Sequence, residues 1–194
     1  MNATSEQAAT DWRLPSRGKV AMYSVIAAES AIFTIFVVAY LFCLGKSVSG
    51  PTPAILHPPV FLTVCLLSSS LTIHSAVASL ENGNVRRFAV WWALTIVLGA
   101  IFLGGTGLEW RHLIRDEGLT IQTNLFGTTY YSLVGLHAFH VIVGLLLLVT
   151  VSVFGWFGLV QREHSERLGV VALYWHFVDA VWVVVFTVVY LVGR

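Results

Sequence analysis

Six side chains with titratable chemistry fall inside long apolar runs of this sequence: Glu29, His74, His137, His140, His176 and Asp179. A seventh, Glu109, stands near the end of such a run. An ionisable group at the centre of a bilayer costs about 3 kcal/mol or more unless it is paired or hydrated, so each is a candidate for function. His137 and His140 are three residues apart, as are His176 and Asp179, which places each pair on one helix face. Three chemistries are open to them. A metal or haem site would take two imidazoles from His137-Ala138-Phe139-His140, but metals want three or four ligands, and carboxylates would have to come from other spans. A proton relay would run through Glu29, His140, His176 and Asp179. The default reading is structural: the groups hydrogen-bond one another, backbone and lipid headgroups, fixing helix register and a lipid site.

The elements that must position these residues are membrane helices. Of 194 residues, 57% are hydrophobic and only 11% charged, where a soluble domain carries about 25% charged residues. Five segments reach the roughly 20 apolar residues that a helix needs to cross hydrocarbon: about 20–44, 59–80, 88–109, 128–154 and 170–192. The predicted fold is therefore all-α, a five-helix transmembrane bundle over 19–194 behind a polar cytoplasmic tail, 1–18. The first run is too long for a signal-peptide core, and no small-residue cleavage site follows it. Pro51, Pro53, Pro58 and Pro59 break the chain after the first span, and Glu81 to Asn84 do so after the second. There is no internal repeat.

The tail and even-numbered loops hold seven Lys and Arg residues (Arg13, Arg17, Lys19, Arg86, Arg87, Arg162, Arg167), against four on the other side (Lys46, Arg111, Arg115, Arg194). That bias predicts a cytoplasmic N-terminus and an external C-terminus. At 1.5 Å per residue, Glu29, His74, His176 and Asp179 lie about 9–15 Å from the cytoplasmic face, and His140 about 20 Å from it. Ser68, Thr72 and Ala76 give the second span a small-residue face, and Ala100 and Gly104 offer the third span another. Cys43 and Cys65 lie in apolar runs without metal-ligand spacing and read as packing residues. A net charge of +1 gives no pull toward nucleic acid.

Longer motifs narrow the reading. Tyr174-Trp175-His176-Phe177-Val178-Asp179-Ala180-Val181-Trp182 resembles the YWHFVD-x-VW signature of the cytochrome c oxidase subunit III family. Gly135 to Gly144, with His137 and His140, is similar to that family's GFHGxHVxxG, and Gly127 to Tyr131 resembles the YGSxFY run before it. Glu29-Ser30 sits where the family has an intramembrane acid, and Glu109-Trp110 matches its Glu-Tyr. The matches keep the family's order from about residue 17 to 192.

The resemblance implies a non-catalytic third subunit of a haem–copper terminal oxidase, a multi-pass protein of the bacterial cell membrane. It would bind no haem or copper itself; those cofactors are expected in partner subunits. Its partners would be the catalytic subunit I, subunit II and bound phospholipid, with Glu29, His74, His137, His140, His176 and Asp179 supporting lipid binding or proton entry. Seven-helix members carry two more N-terminal helices, whereas this chain begins at the equivalent of the third, as the quinol-oxidising cytochrome bo type does. Phe186 to Leu191 is close to that type, while Glu29 is more like the cytochrome c type. A His-His pair of many members is replaced by Val77 and Ala78, and a Gln by Thr106. A nitric-oxide-reductase-associated subunit shares the five-helix plan. A stand-alone proton-coupled transporter would also use intramembrane acids, but such proteins carry repeats and broken helices.

Overall fold

The computed structural model describes residues 16–47 and 50–192. The described chain is helical apart from its turns and loops: α1 Arg17–Cys43, α2 Val60–Glu81, α3 Val85–Arg115, α4 Leu125–Trp156 and α5 Ser165–Phe186, with a π-helical continuation over Thr187–Val192. All five are long and apolar enough to cross a membrane, as the hydropathy pattern predicts. Most of the predicted tail lies outside the described residues, and Arg17 and Gly18 already belong to α1.

Helices α3 and α4 are longer than their apolar runs. At 32 residues α4 is about 48 Å long, against a hydrocarbon core of about 30 Å. Its polar end is included because Asn124 caps it, the side-chain oxygen accepting the Gly127 N–H at 2.8 Å. Asn84 caps α3 likewise, accepting the Arg87 N–H at 3.1 Å. Between α2 and α3 the chain reverses through Gly83, at φ 74°. The Gly83 N–H reaches Leu80 O at 2.8 Å and the Asn84 N–H reaches Ser79 O at 2.9 Å, the paired bonds of a Schellman turn. At the far end of α3, His112 and Arg115 oppose the negative pole of the helix dipole.

Helix α5 sits centrally, against α1, α2 and α4, while α3 packs on α2 and α4. Three buried indoles stitch the bundle. Trp92 donates to Leu148 O at 2.9 Å, Trp175 to Ser69 Oγ at 2.8 Å, and Trp182 to Thr63 Oγ1 at 3.1 Å. Thr72 and Thr95 join α2 to α3 through their hydroxyls at 2.7 Å. The small-residue expectation holds at Thr72 and Ala76 and shifts by one position at the other sites. On α2 the buried set is Ser69, Thr72 and Ala76, with Ser68 half-buried. On α3, Ala100 and Gly104 face outward, and Gly99 and Gly105 make the close approaches instead, to Trp175 and Leu62. Helix α1 is the least enclosed, burying only Phe33 and Tyr40. Lys19 and Glu166, 3.8 Å apart, put the starts of α1 and α5 at the same end.

Candidate functional site

The predicted site residues gather at mid-helix but do not form one chain. His140 lies near the middle of α4, and its Nδ1 stands 2.8 Å from Leu136 O, a carbonyl that can only accept. The Nδ1 proton is therefore committed to the backbone, leaving Nε2 to face Glu29 Oε2 across the α1–α4 seam at 3.1 Å. One proton lies in that contact, either on Nε2 facing a carboxylate or on the carboxyl facing a bare Nε2. Phe33 and Phe139 enclose the imidazole, their ring centroids at 5.0 and 5.7 Å. Tyr174 donates to the His140 carbonyl at 3.3 Å. His140 is nearly closed off, with 8% of its side chain exposed, whereas Glu29 keeps 28% open.

A second cluster joins α2 to α5. Ser70 Oγ contacts His176 Nδ1 at 3.1 Å and bonds Asp179 Oδ2 on the next turn. Asp179 is buried, and its other oxygen has no hydrogen-bond partner among the described residues. His176 is half-buried and lines a groove of about 270 Å³ with His74 and Glu81. His74 belongs to that groove rather than to the buried cluster, and its side chain is exposed.

His137 stands apart from both. It is fully buried, with its ring packed at a tilt against Trp182 at 4.9 Å and edge-on to Phe102 at 5.8 Å. Neither ring nitrogen has a hydrogen-bond partner among the described residues. His137 and His140 thus turn to different neighbours, one aromatic and one acidic, and do not present a shared pair of ligands. Among the described residues, no three His, Cys, Asp or Glu side chains converge as a metal site would require. Glu109 forms a separate site toward the other membrane face, accepting from Tyr190 Oη at 3.1 Å, with Tyr130 Oη 3.5 Å beyond.

Sequence reasoning missed Ser70 and Tyr190, whose hydroxyls bond the Asp179 and Glu109 carboxyls, and Tyr174, whose hydroxyl bonds the His140 backbone carbonyl. The run Ser68-Ser69-Ser70 inside an apolar span was a signal for the first. Tyr174 opens the YWHFVD-like stretch and Tyr190 lies in the Phe186 to Leu191 run, but neither motif shows which group the hydroxyl meets.

The family model for cytochrome c oxidase subunit III matches residues 22–194. The chain belongs to this family. Cytochrome c oxidase subunit 3 of Alkalihalophilus pseudofirmus is 35% identical over 171 residues, covering 87% of this chain and 83% of the relative. The Synechocystis subunit of the same name is 39% identical over 174 residues, covering 86% and 72%. Subunit 3 of the cytochrome bo(3) ubiquinol oxidase of Pseudomonas aeruginosa is 33% identical over 168 residues, covering 85% and 80%. Relatives named as cytochrome c oxidase and as ubiquinol oxidase subunits are thus both similar to this chain. The chain is a multi-pass subunit III with five helices able to span a membrane.

Proposed function

We propose that this chain is the accessory third subunit of a haem–copper terminal oxidase in an aerobic respiratory membrane. It stabilises the catalytic subunit, retains phospholipid and supports proton uptake, while haem and copper chemistry belongs to its partners, subunits I and II. The observation that carries this reading is the Glu29–His140 pair: a mid-membrane carboxyl bonded to a buried imidazole yet partly open at the protein surface. A paired acid of that kind can hold or pass a proton without the full cost of an isolated charge. Beside it, Ser30, Phe33, Val37, Phe177, Val181 and Val184 line a largely apolar groove of about 300 Å³ between α1 and α5, suited to an acyl chain.

The test is Glu29→Ala in the assembled oxidase. Haem content stays near that of the wild type, while the enzyme loses activity sooner during sustained turnover or takes up protons more slowly. Loss of haem from an otherwise intact complex would make Glu29 part of the catalytic machinery and overturn the accessory reading.

A further inference from the structure

We propose that Asp179 is a proton-exchanging site, loaded and emptied from the α2–α5 groove through Ser70 and His176. This deepens the proton-supporting part of the proposed function and rests on it only for its use in the oxidase.

The argument begins with the serine. A hydroxyl carries one proton and two lone pairs, so between two polar neighbours it accepts from one and donates to the other. Ser70 stands between His176 Nδ1 and Asp179 Oδ2, and two arrangements satisfy all three groups. With Asp179 ionised, Nδ1–H donates to Ser70, Ser70 donates to Oδ2, and Nε2 is bare. With Asp179 protonated, its O–H donates to Ser70, Ser70 donates to Nδ1, and Nε2 carries the hydrogen.

One proton and two short transfers convert the first arrangement into the second. A hydronium ion in the groove gives one proton to Nε2, its O–H bond breaking to leave a neutral water. The Nδ1–H bond breaks as that proton moves to Ser70 Oγ, and the original Ser70 proton moves to Asp179 Oδ2. The imidazole begins and ends neutral with its tautomer exchanged, and the carboxylate charge is cancelled. The reverse sequence empties the site. No hydrogen bond is lost in either resting arrangement.

The surroundings give the wire two different ends. His176 opens into the groove shared with His74, Gly169 and Glu81, and Glu81 is the last residue of α2, so the groove reaches the helix ends. Asp179 is 3% exposed, and Oδ1 has no partner among the described residues, so the bond through Oδ2 is its polar connection there. The other ionisable groups lining this groove are His74 and Glu81 from α2, while on α4 His137 packs against Trp182 and Phe102, away from the groove. His140 is engaged with Glu29 of α1, and α3 presents Gly99 and Phe102 to α5.

A static clamp of α2 on α5 would share this geometry but would not carry protons, and infrared spectroscopy of the assembled oxidase separates the two. The Asp179 carboxyl stretch is assigned by its loss in Asp179→Asn, then followed through pH steps and transfer to D₂O. The band exchanges hydrogen for deuterium in the wild type, slows by about tenfold or more in Ser70→Ala, and recovers in Ser70→Thr. His176→Phe, which keeps a ring at the groove, slows it as well and serves where Ser70→Ala does not assemble. Equal exchange rates in wild type, Ser70→Ala and His176→Phe would overturn the proposal. So would the absence of any Asp179 carboxyl band at every pH the complex survives. Turnover lifetime in the same samples reports separately on the function: blocked exchange with an unchanged lifetime supports the wire and refutes its use in the oxidase.

Discussion

Trp175 is held between two glycines, and the consequence of filling either is calculable. A Cβ built on Gly144 would lie 2.8 Å from both Cε3 and Cζ3 of the indole, and one built on Gly99 would lie 2.8 Å from Cη2. Carbon atoms rest at about 3.5–4.0 Å, so Gly144→Ala requires the ring edge to retreat by about 0.7 Å or more. The ring is not free to retreat, because Nε1 is tied to Ser69 at 2.8 Å and α3 stands close on the Cη2 side. Overpacking of this kind costs about 1–3 kcal/mol, and about 1.4 kcal/mol is already a tenfold loss in the folded ratio. Gly99→Ala closes the space the ring would use, so the double variant should lose more than the sum of the singles, with a coupling of about 0.5–3 kcal/mol. Unfolding of the purified subunit by SDS titration, followed by tryptophan fluorescence, reads all three variants. The reasoning fails if Gly144→Ala unfolds within about 0.5 kcal/mol of wild type, or if the two substitutions simply add.

Two further substitutions bear on the helix ends. Gly127→Ala sets a Cβ 2.3 Å from the Thr120 backbone oxygen, and a backbone atom cannot swing aside; the α3–α4 connection should distort at a cost of about 3 kcal/mol, seen as a fall in assembled subunit at equal expression. Asn84→Ala removes the cap on α3 and should cost about 1 kcal/mol, with faster amide exchange confined to the first turn of α3; protection lost along the whole helix would refute a purely local role.

The five spans were legible because hydrocarbon demands length and apolarity whatever the helices touch. The helix ends were less so: α4 begins at Leu125 because of the Asn124 cap, which hydropathy does not register. The packing face of α2 was legible at Thr72 and Ala76, but that of α3 was misplaced by one residue, since Ala100 and Gly104 offer small side chains at a helical spacing as the real contact positions do. The choice of Gly99 and Gly105 was made by Trp175 and Leu62 on other helices. The ionisable residues were legible individually, by their sheer cost in lipid. Their grouping was not: depth alone suggested one chain from Glu29 to Asp179, whereas helix rotation sends Glu29 to His140 and Asp179 to Ser70. His74, at nearly the depth of His176, points out into the groove because sequence gives height along a helix more readily than azimuth.

The partner of Glu29 lies 111 residues further along the chain. A ribosome adding about 5–20 residues per second needs about 6–22 s to cover that distance. During that interval α1 has left the translocation channel with its carboxyl and without His140, and the other helices against which it packs, α4 and α5, are also still to come. Nascent α1 must therefore tolerate lipid alone, and its largely outward-facing apolar surface equips it to do so. The arrival of α4 then converts a solitary acid into a bonded one, and the arrival of α5 completes the bundle. Truncated chains ending before residue 140 should be recognised by membrane quality control as unfinished, and chains ending soon after α5 should not.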